Sequence, residues 1–204
     1  MEKFKKILSY VVFWLIQCTW GAIMTTIGAV AALVLIIAGH KPKNMGPMVY
    51  FEVGENWGGM ELGGFFLCCK NSGNHTKYHE CGHGFQNLIW GPLMPFVVCI
   101  PSAARYWLRE MPTRLKKGLF NLYFLLAALA VTTGLACFTA LVLHSKGLTI
   151  FAEILRMYFC IVSIWMTVFE IPKYDKGYVD YDAIWFEGQA TEWGTKVYEE
   201  KKED

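Results

Sequence analysis

Charge is scarce in this chain. Only 18% of its 204 residues are charged, and none lies between Ile7 and Gly39 or between Leu119 and Leu143. At about 1.5 Å per helical residue, either run outreaches a hydrocarbon core of ~30 Å. Such runs exclude an ordinary solvated surface over those stretches. A third apolar run, Leu148 to Pro172, carries Glu153 and Arg156 near its start, three apart on one helical face, where they can pair. A mean hydropathy of +0.31 with 16% aromatic residues excludes disorder and low complexity.

Other absences narrow the class further. The net charge is only +2 and no compact basic block is present, so no nucleic-acid partner is implied. The seven cysteines show no metal-knuckle spacing, and Cys68-Cys69 are adjacent, poor material for a disulfide. No internal repeat is visible. Five histidines are too few for the multi-histidine di-iron membrane hydroxylases. The start, with Lys3, Lys5 and Lys6, has the basic character of a signal peptide, but its apolar stretch is far too long for one. Residues 1–39 therefore read as a retained transmembrane anchor, bent near Trp20-Gly21.

The polar insert, residues 40–78, reads as a β-hairpin. Met48–Val53 forms one strand, Gly54–Gly59 a loose glycine-rich loop, and Leu62–Cys69 a second, more apolar strand. Phe65-Phe66-Leu67-Cys68 is expected either to present an edge to an extended peptide or merely to cap the bundle. Residues 118–172 hold two transmembrane helices. The tail, 173–204, is helical from Asp182 to about Glu200, with Trp185, Ala190 and Trp193 spaced for an apolar face. Residues 79–117 are harder, because Phe85–Trp107 is apolar but broken by Gly91, Pro92, Pro95 and Pro101. Lipid cannot replace backbone partners lost at proline, so a kinked span or a re-entrant segment is expected.

The chemistry concentrates at His79-Glu80-Cys81-Gly82-His83, an H-E-x-x-H sequence. On a helix, His79 and His83 fall one turn apart on one face and both imidazoles reach one metal. Glu80 stands beside them, placed to take a proton from water at that metal. A zinc site of this kind takes a carboxylate from a later helix; Glu187 is the first candidate and Glu192 the second. His75, a turn before His79, reads as a polar residue at the helix start.

Glu187-x-x-Ala190-Thr191 resembles the E-x-x-A-D element of the gluzincin metallopeptidases, whose membrane-embedded branch includes the CAAX prenyl proteases and bacterial heat-shock membrane proteases. With Gln86, Gly91-Pro92-Leu93 and Ile100-Pro101-Ser102, the motif is similar to that of a group of small bacterial multi-pass proteins carrying H-E-x-G-H, G-P-L and G-I-P-S elements. The likeness covers residues 20–196 loosely and is specific only at the motifs. It implies a mainly α, polytopic helical membrane protein with a small β-hairpin and a zincin-like helix. His79, His83 and Glu187 would bind Zn2+, and Glu80 would be the catalytic base in peptide-bond hydrolysis. The larger family has Asp where this chain has Thr191, a departure that removes a charge from beside a ligand histidine.

Topology follows from the site. His83 and Glu187 are separated by two spans, an even number, which favours the re-entrant reading of 85–107. The polar insert and the Arg105–Lys117 loop hold nine Lys/Arg and the tail five, against Lys3, Lys5, Lys6 and Lys146 on the other side. That bias puts the site and tail in the cytoplasm. The expected partners are the lipid bilayer and a peptide or membrane-protein substrate. A catalytically degenerate zincin and a non-enzymatic membrane scaffold or accessory protein are the alternatives.

Overall fold

The structure is a computed structural model that describes residues 2–175, 177 and 179–199. Parts of the expected tail, 176, 178 and 200–204, lie outside the described residues. The chain divides into two compact units, residues 1–100 with 180–204 and residues 101–179.

In the first unit, α1 (Glu2–Thr19) and α2 (Ala22–Ile37) meet at 99°, broken at Trp20-Gly21. The corner is held by polar groups buried within the apolar run. Gln17 donates to the Gly84 carbonyl at 3.0 Å and accepts from Asn87 at 2.6 Å and from Thr25 at 2.9 Å. A Cβ at Gly21 would sit 2.6 Å from the Asn87 amide nitrogen, so the corner and helix α3 (Asn74–Trp90) can approach this closely only through glycine.

The insert forms a four-stranded sheet, β1 (Lys43–Met45), β2 (Met48–Glu52), β3 (Gly59–Leu62) and β4 (Phe65–Cys68), in the order β1-β2-β4-β3. This corrects the expected hairpin. The two expected strands correspond to β2 and β4, and they pair in parallel, Val49 with Phe65 through Glu52 with Cys68. The hairpin partner of β4 is β3, drawn from the end of the glycine-rich loop. A two-residue Gly63-Gly64 turn closes it, with Gly63 at φ +74°. β4 is thereby an interior strand with both edges taken, so it cannot receive a peptide; β1 and β3 are the edge strands. Phe66 and Cys68 of β4 and Met48 of β2 pack with Phe13 of α1 and Cys81 of α3 into one core.

The last element of this unit, α8 in chain order and reached through a 3-10 turn at Tyr181–Ala183, is the helix Trp185–Glu199. Its buried side only partly follows the expected face: Ala190 is buried and Trp193 half-buried, as expected, but Trp185 is not. Trp185 is 53% exposed, while Phe186, Glu187, Ala190 and Gly194 are buried. Small residues explain the choice: a Cβ at Gly82 would run into the Ala190 carbonyl, and one at Gly194 into the Tyr78 carbonyl. Only glycine at both places lets the backbones of α3 and α8 come so near.

The second unit contains α4 (Ile100–Glu110, whose first residue belongs to the first unit), α5 (Arg114–Leu141), α6 (Lys146–Trp165) and α7 (Ile171–Asp175), with a π-helical turn at Met166–Glu170 between the last two. Thr113 caps α5 by accepting from the Lys116 amide, and Ser145 caps α6 by accepting from that of Leu148. Glu153 and Arg156 pair at 3.0 Å. Sequence reasoning passes over Glu170, which is fully buried and receives Arg105 Nε at 3.0 Å and Lys173 Nζ at 2.7 Å.

Among the described residues, Arg114–Leu141 and Lys146–Tyr174 are each long and apolar enough to cross a membrane. The number rises to four if α1 with α2, and Asn74–Leu93 with Pro95–Glu110, each count as one broken span. The second pair is interrupted at Met94, within the proline-rich stretch.

A buried His-His-Glu cluster between two helices

Helix α3 is buried from Tyr78 to Gly84, an uncommon fate for a segment carrying two histidines and a glutamate. The close α3–α8 crossing brings Glu187 against the histidines. His79 Nε2 and His83 Nε2 each lie 3.2 Å from Glu187 Oε2 and 3.1 Å from each other. The three side chains are 8%, 6% and 0% exposed as residues. Glu192, the second candidate, is exposed, and so is His75; neither joins the cluster.

The hydrogen bonds on the far side of each ring fix which nitrogen faces the centre. Gln86 donates its amide to the Phe186 carbonyl at 2.7 Å and to Gln189 Oε1 at 3.0 Å, so its oxygen faces His83 Nδ1 at 2.8 Å. An amide oxygen only accepts, so His83 carries a proton on Nδ1 and turns Nε2 toward the centre. His79 Nδ1 meets Thr191 Oγ1 at 2.7 Å, and that hydroxyl donates to Asp182 Oδ2 at 2.9 Å. With its hydrogen committed to a carboxylate, the hydroxyl accepts from His79 Nδ1–H. Two ring nitrogens and a carboxylate oxygen therefore converge on one point.

This donor set can hold a metal ion. Nitrogen and oxygen ligands about 2.0–2.1 Å from a tetrahedral ion stand about 3.3 Å from one another, and the observed separations of 3.1–3.2 Å match that spacing. Soft ligands are not part of the group.

Two further carboxylates lie beside the cluster. Glu80 is buried, accepts from the main-chain N–H of Glu61, and is flanked by Gly59, where a Cβ would collide with its carboxylate. Glu61 of β3 is a site neighbour that sequence reasoning misses. Its Oε1 accepts from the Gly63 N–H at 2.5 Å, and its Oε2 is buried without a hydrogen-bond partner among the described residues. Burial, reinforced by the negative charge of Glu80, pushes the Glu61 carboxyl up to about 8, against the opposing pull of His83 and the Gly63 N–H. Its place in a short strand carries no sequence signal beyond a charge among glycines. The Tyr181 ring lies 5.8 Å from the His79 ring, centroid to centroid.

No protein-family model matches the chain, and no curated protein or solved structure matches it.

Proposed function

We propose that the chain is an integral membrane zinc metallopeptidase that hydrolyses peptide bonds. The observation that carries this reading is the convergence of His79, His83 and Glu187, with Glu80 on the same helix turn. Two neutral imidazoles and one carboxylate are the donor set of hydrolytic zinc sites, and they leave a fourth position for water or substrate.

Zinc held there would supply Lewis acidity, polarising a carbonyl oxygen and acidifying water. The rest falls to the protein. Glu80 takes a proton from the attacking water on a carboxylate oxygen and passes it to the leaving amine. The Glu61 N–H holds that carboxylate in place. Gln86 and Thr191 keep the histidine protons on Nδ1, away from the centre. The edge strand β3, beside α3, is the place where an extended peptide would add its backbone to the sheet.

Membrane insertion is supported by the apolar faces of α5 and α6, on which Tyr123 is 74% and Met157 65% exposed. The excess of Lys/Arg in the insert, the Arg105–Lys117 loop and the tail supports a cytoplasmic site. With a shared metal site, the even number of spans between His83 and Glu187 supports a re-entrant course for 85–107.

Burial favours a second reading. A cluster in which every candidate ligand is under a tenth exposed suits a metal-holding scaffold without turnover as well as a catalyst that must open. The deciding experiment is zinc content and peptidase turnover of detergent-purified protein beside His79→Ala, Glu187→Ala and Glu80→Gln. The peptidase reading requires about one zinc per chain, lost in the first two variants, and turnover lost in Glu80→Gln with zinc retained. Zinc without turnover supports the scaffold, and absence of zinc after metal-replete purification ends both.

A further inference from the structure

We infer that Asp182 is a positioning residue for His79, acting through the Thr191 hydroxyl, and that this relay supplies the charge that Thr191 itself lacks. This role rests on the zinc reading above and adds a residue to it. Asp182 stands in the 3-10 turn Tyr181–Ala183, ahead of α8 and nine residues before Thr191.

Donor and acceptor chemistry fixes the direction of each bond. An ionised carboxylate only accepts, so the 2.9 Å contact between Thr191 Oγ1 and Asp182 Oδ2 commits the hydroxyl hydrogen to Asp182. A hydroxyl oxygen whose hydrogen is drawn toward an anion becomes a better acceptor. That oxygen faces His79 Nδ1 at 2.7 Å, a short contact for nitrogen and oxygen. The polarisation then passes through the imidazole, making Nε2 a more basic donor at the centre. His83 has no such chain: its Nδ1 meets a neutral amide oxygen, fixed by a main-chain carbonyl. The two histidines are therefore unequal: among the described residues, only His79 is joined by a chain of hydrogen bonds to a carboxylate outside the cluster. The 3-10 turn sets the distance, because it returns Asp182 over the first turn of α8, where its carbonyl lies near Gly188.

The test is zinc affinity by chelator competition on the full chain in detergent, together with the His79 Nδ1–H proton resonance of the zinc-loaded protein. Removing an outer partner of a metal-bound histidine typically costs about 10–100-fold in affinity. Thr191→Val should weaken zinc about tenfold and Asp182→Asn about three- to tenfold. Thr191→Ser, which keeps the hydroxyl, should restore wild-type binding. In a Thr191→Val background, Asp182→Asn should have no further effect, because the relay is already cut. The His79 resonance should move upfield in Asp182→Asn while that of His83 stays. Wild-type affinity and an unmoved His79 resonance in Asp182→Asn would overturn the relay alone. So would an Asp182→Asn loss that persists undiminished in the Thr191→Val background. A wild-type chain that takes no zinc removes the zinc reading and the relay together.

Discussion

His79 Nε2 and His83 Nε2 stand 3.1 Å apart, each with its ring proton held on the opposite nitrogen. Two ring nitrogens and the Glu187 carboxylate at such distances need a proton or a metal ion among them. The cluster is therefore a place where a cation adds to the stability of the fold as well as to its chemistry. Zinc at about 100 times its Kd should stabilise the folded chain by about 2.7 kcal/mol. Thermal unfolding in detergent should show a higher midpoint with zinc than with a chelator. His83→Ala should abolish the difference.

Gln86 should matter to the metal without touching it. Gln86→Leu removes the oxygen that keeps a proton on His83 Nδ1 and takes the side-chain donor from the Phe186 carbonyl. Zinc affinity, read by chelator competition, should fall about tenfold. Gln86→Glu should still accept from His83 but lose the Phe186 contact, and so should cost stability more than zinc.

The α3–α8 crossing makes a sharp contrast between two glycines. Gly82→Ala places a methyl group against the Ala190 carbonyl, backbone that cannot rotate away. Overpacking of this kind costs about 1–3 kcal/mol, and zinc binding should weaken because Glu187 moves with α8. Gly118→Ala, in α5, meets nothing within 4 Å and should be neutral or stabilising. Differential scanning of both variants checks the pair.

Glu61 predicts a pH dependence of definite sign. Its carboxyl is pushed up to about 8 from the ordinary 4.5, so between those values the unfolded chain has released a proton that the folded chain keeps. Stability from this group is complete below pH 4.5, declines as pH rises to about 8, and is flat above. Glu61→Gln can still accept from Gly63 N–H and has no proton to lose. In zinc-free protein, the stability of the variant relative to wild type should therefore grow from pH 4.5 to about 8, by at most about 5 kcal/mol. A gap that stays constant across that window would contradict the assignment.

Much of the cluster is legible in the sequence because a helix of period 3.6 converts H-E-x-x-H into two imidazoles on one face. Glu187 is legible only as one of two carboxylates, since the choice depends on which side of α8 meets α3. Ala190 is on the face read from the sequence, but the glycines beside it, Gly82 and Gly194, decide the contact by letting backbones touch. The sheet is half legible. Strand-like runs at β2 and β4 are visible, yet their parallel pairing depends on β3, which hides inside a glycine-rich stretch of little strand propensity. Gln17 and Thr25 give no signal, because a single amide within an apolar run acquires meaning only from the Asn87 and Gly84 groups it meets. Asp182 reads in sequence as a helix start, and its bond to Thr191 depends on a 3-10 turn that spacing alone does not reveal.

His83 and Glu187 are 104 residues apart in the chain. Whatever the cluster does, it does not exist while the protein is being made: the histidines emerge first and wait, through the synthesis of the entire second unit, for the carboxylate that completes them. Closing so long a loop carries an entropic cost that grows only logarithmically with length, so the delay is a matter of timing more than of energy. Any ion that needs all three side chains can settle only after helix α8 has been made and has packed against α3.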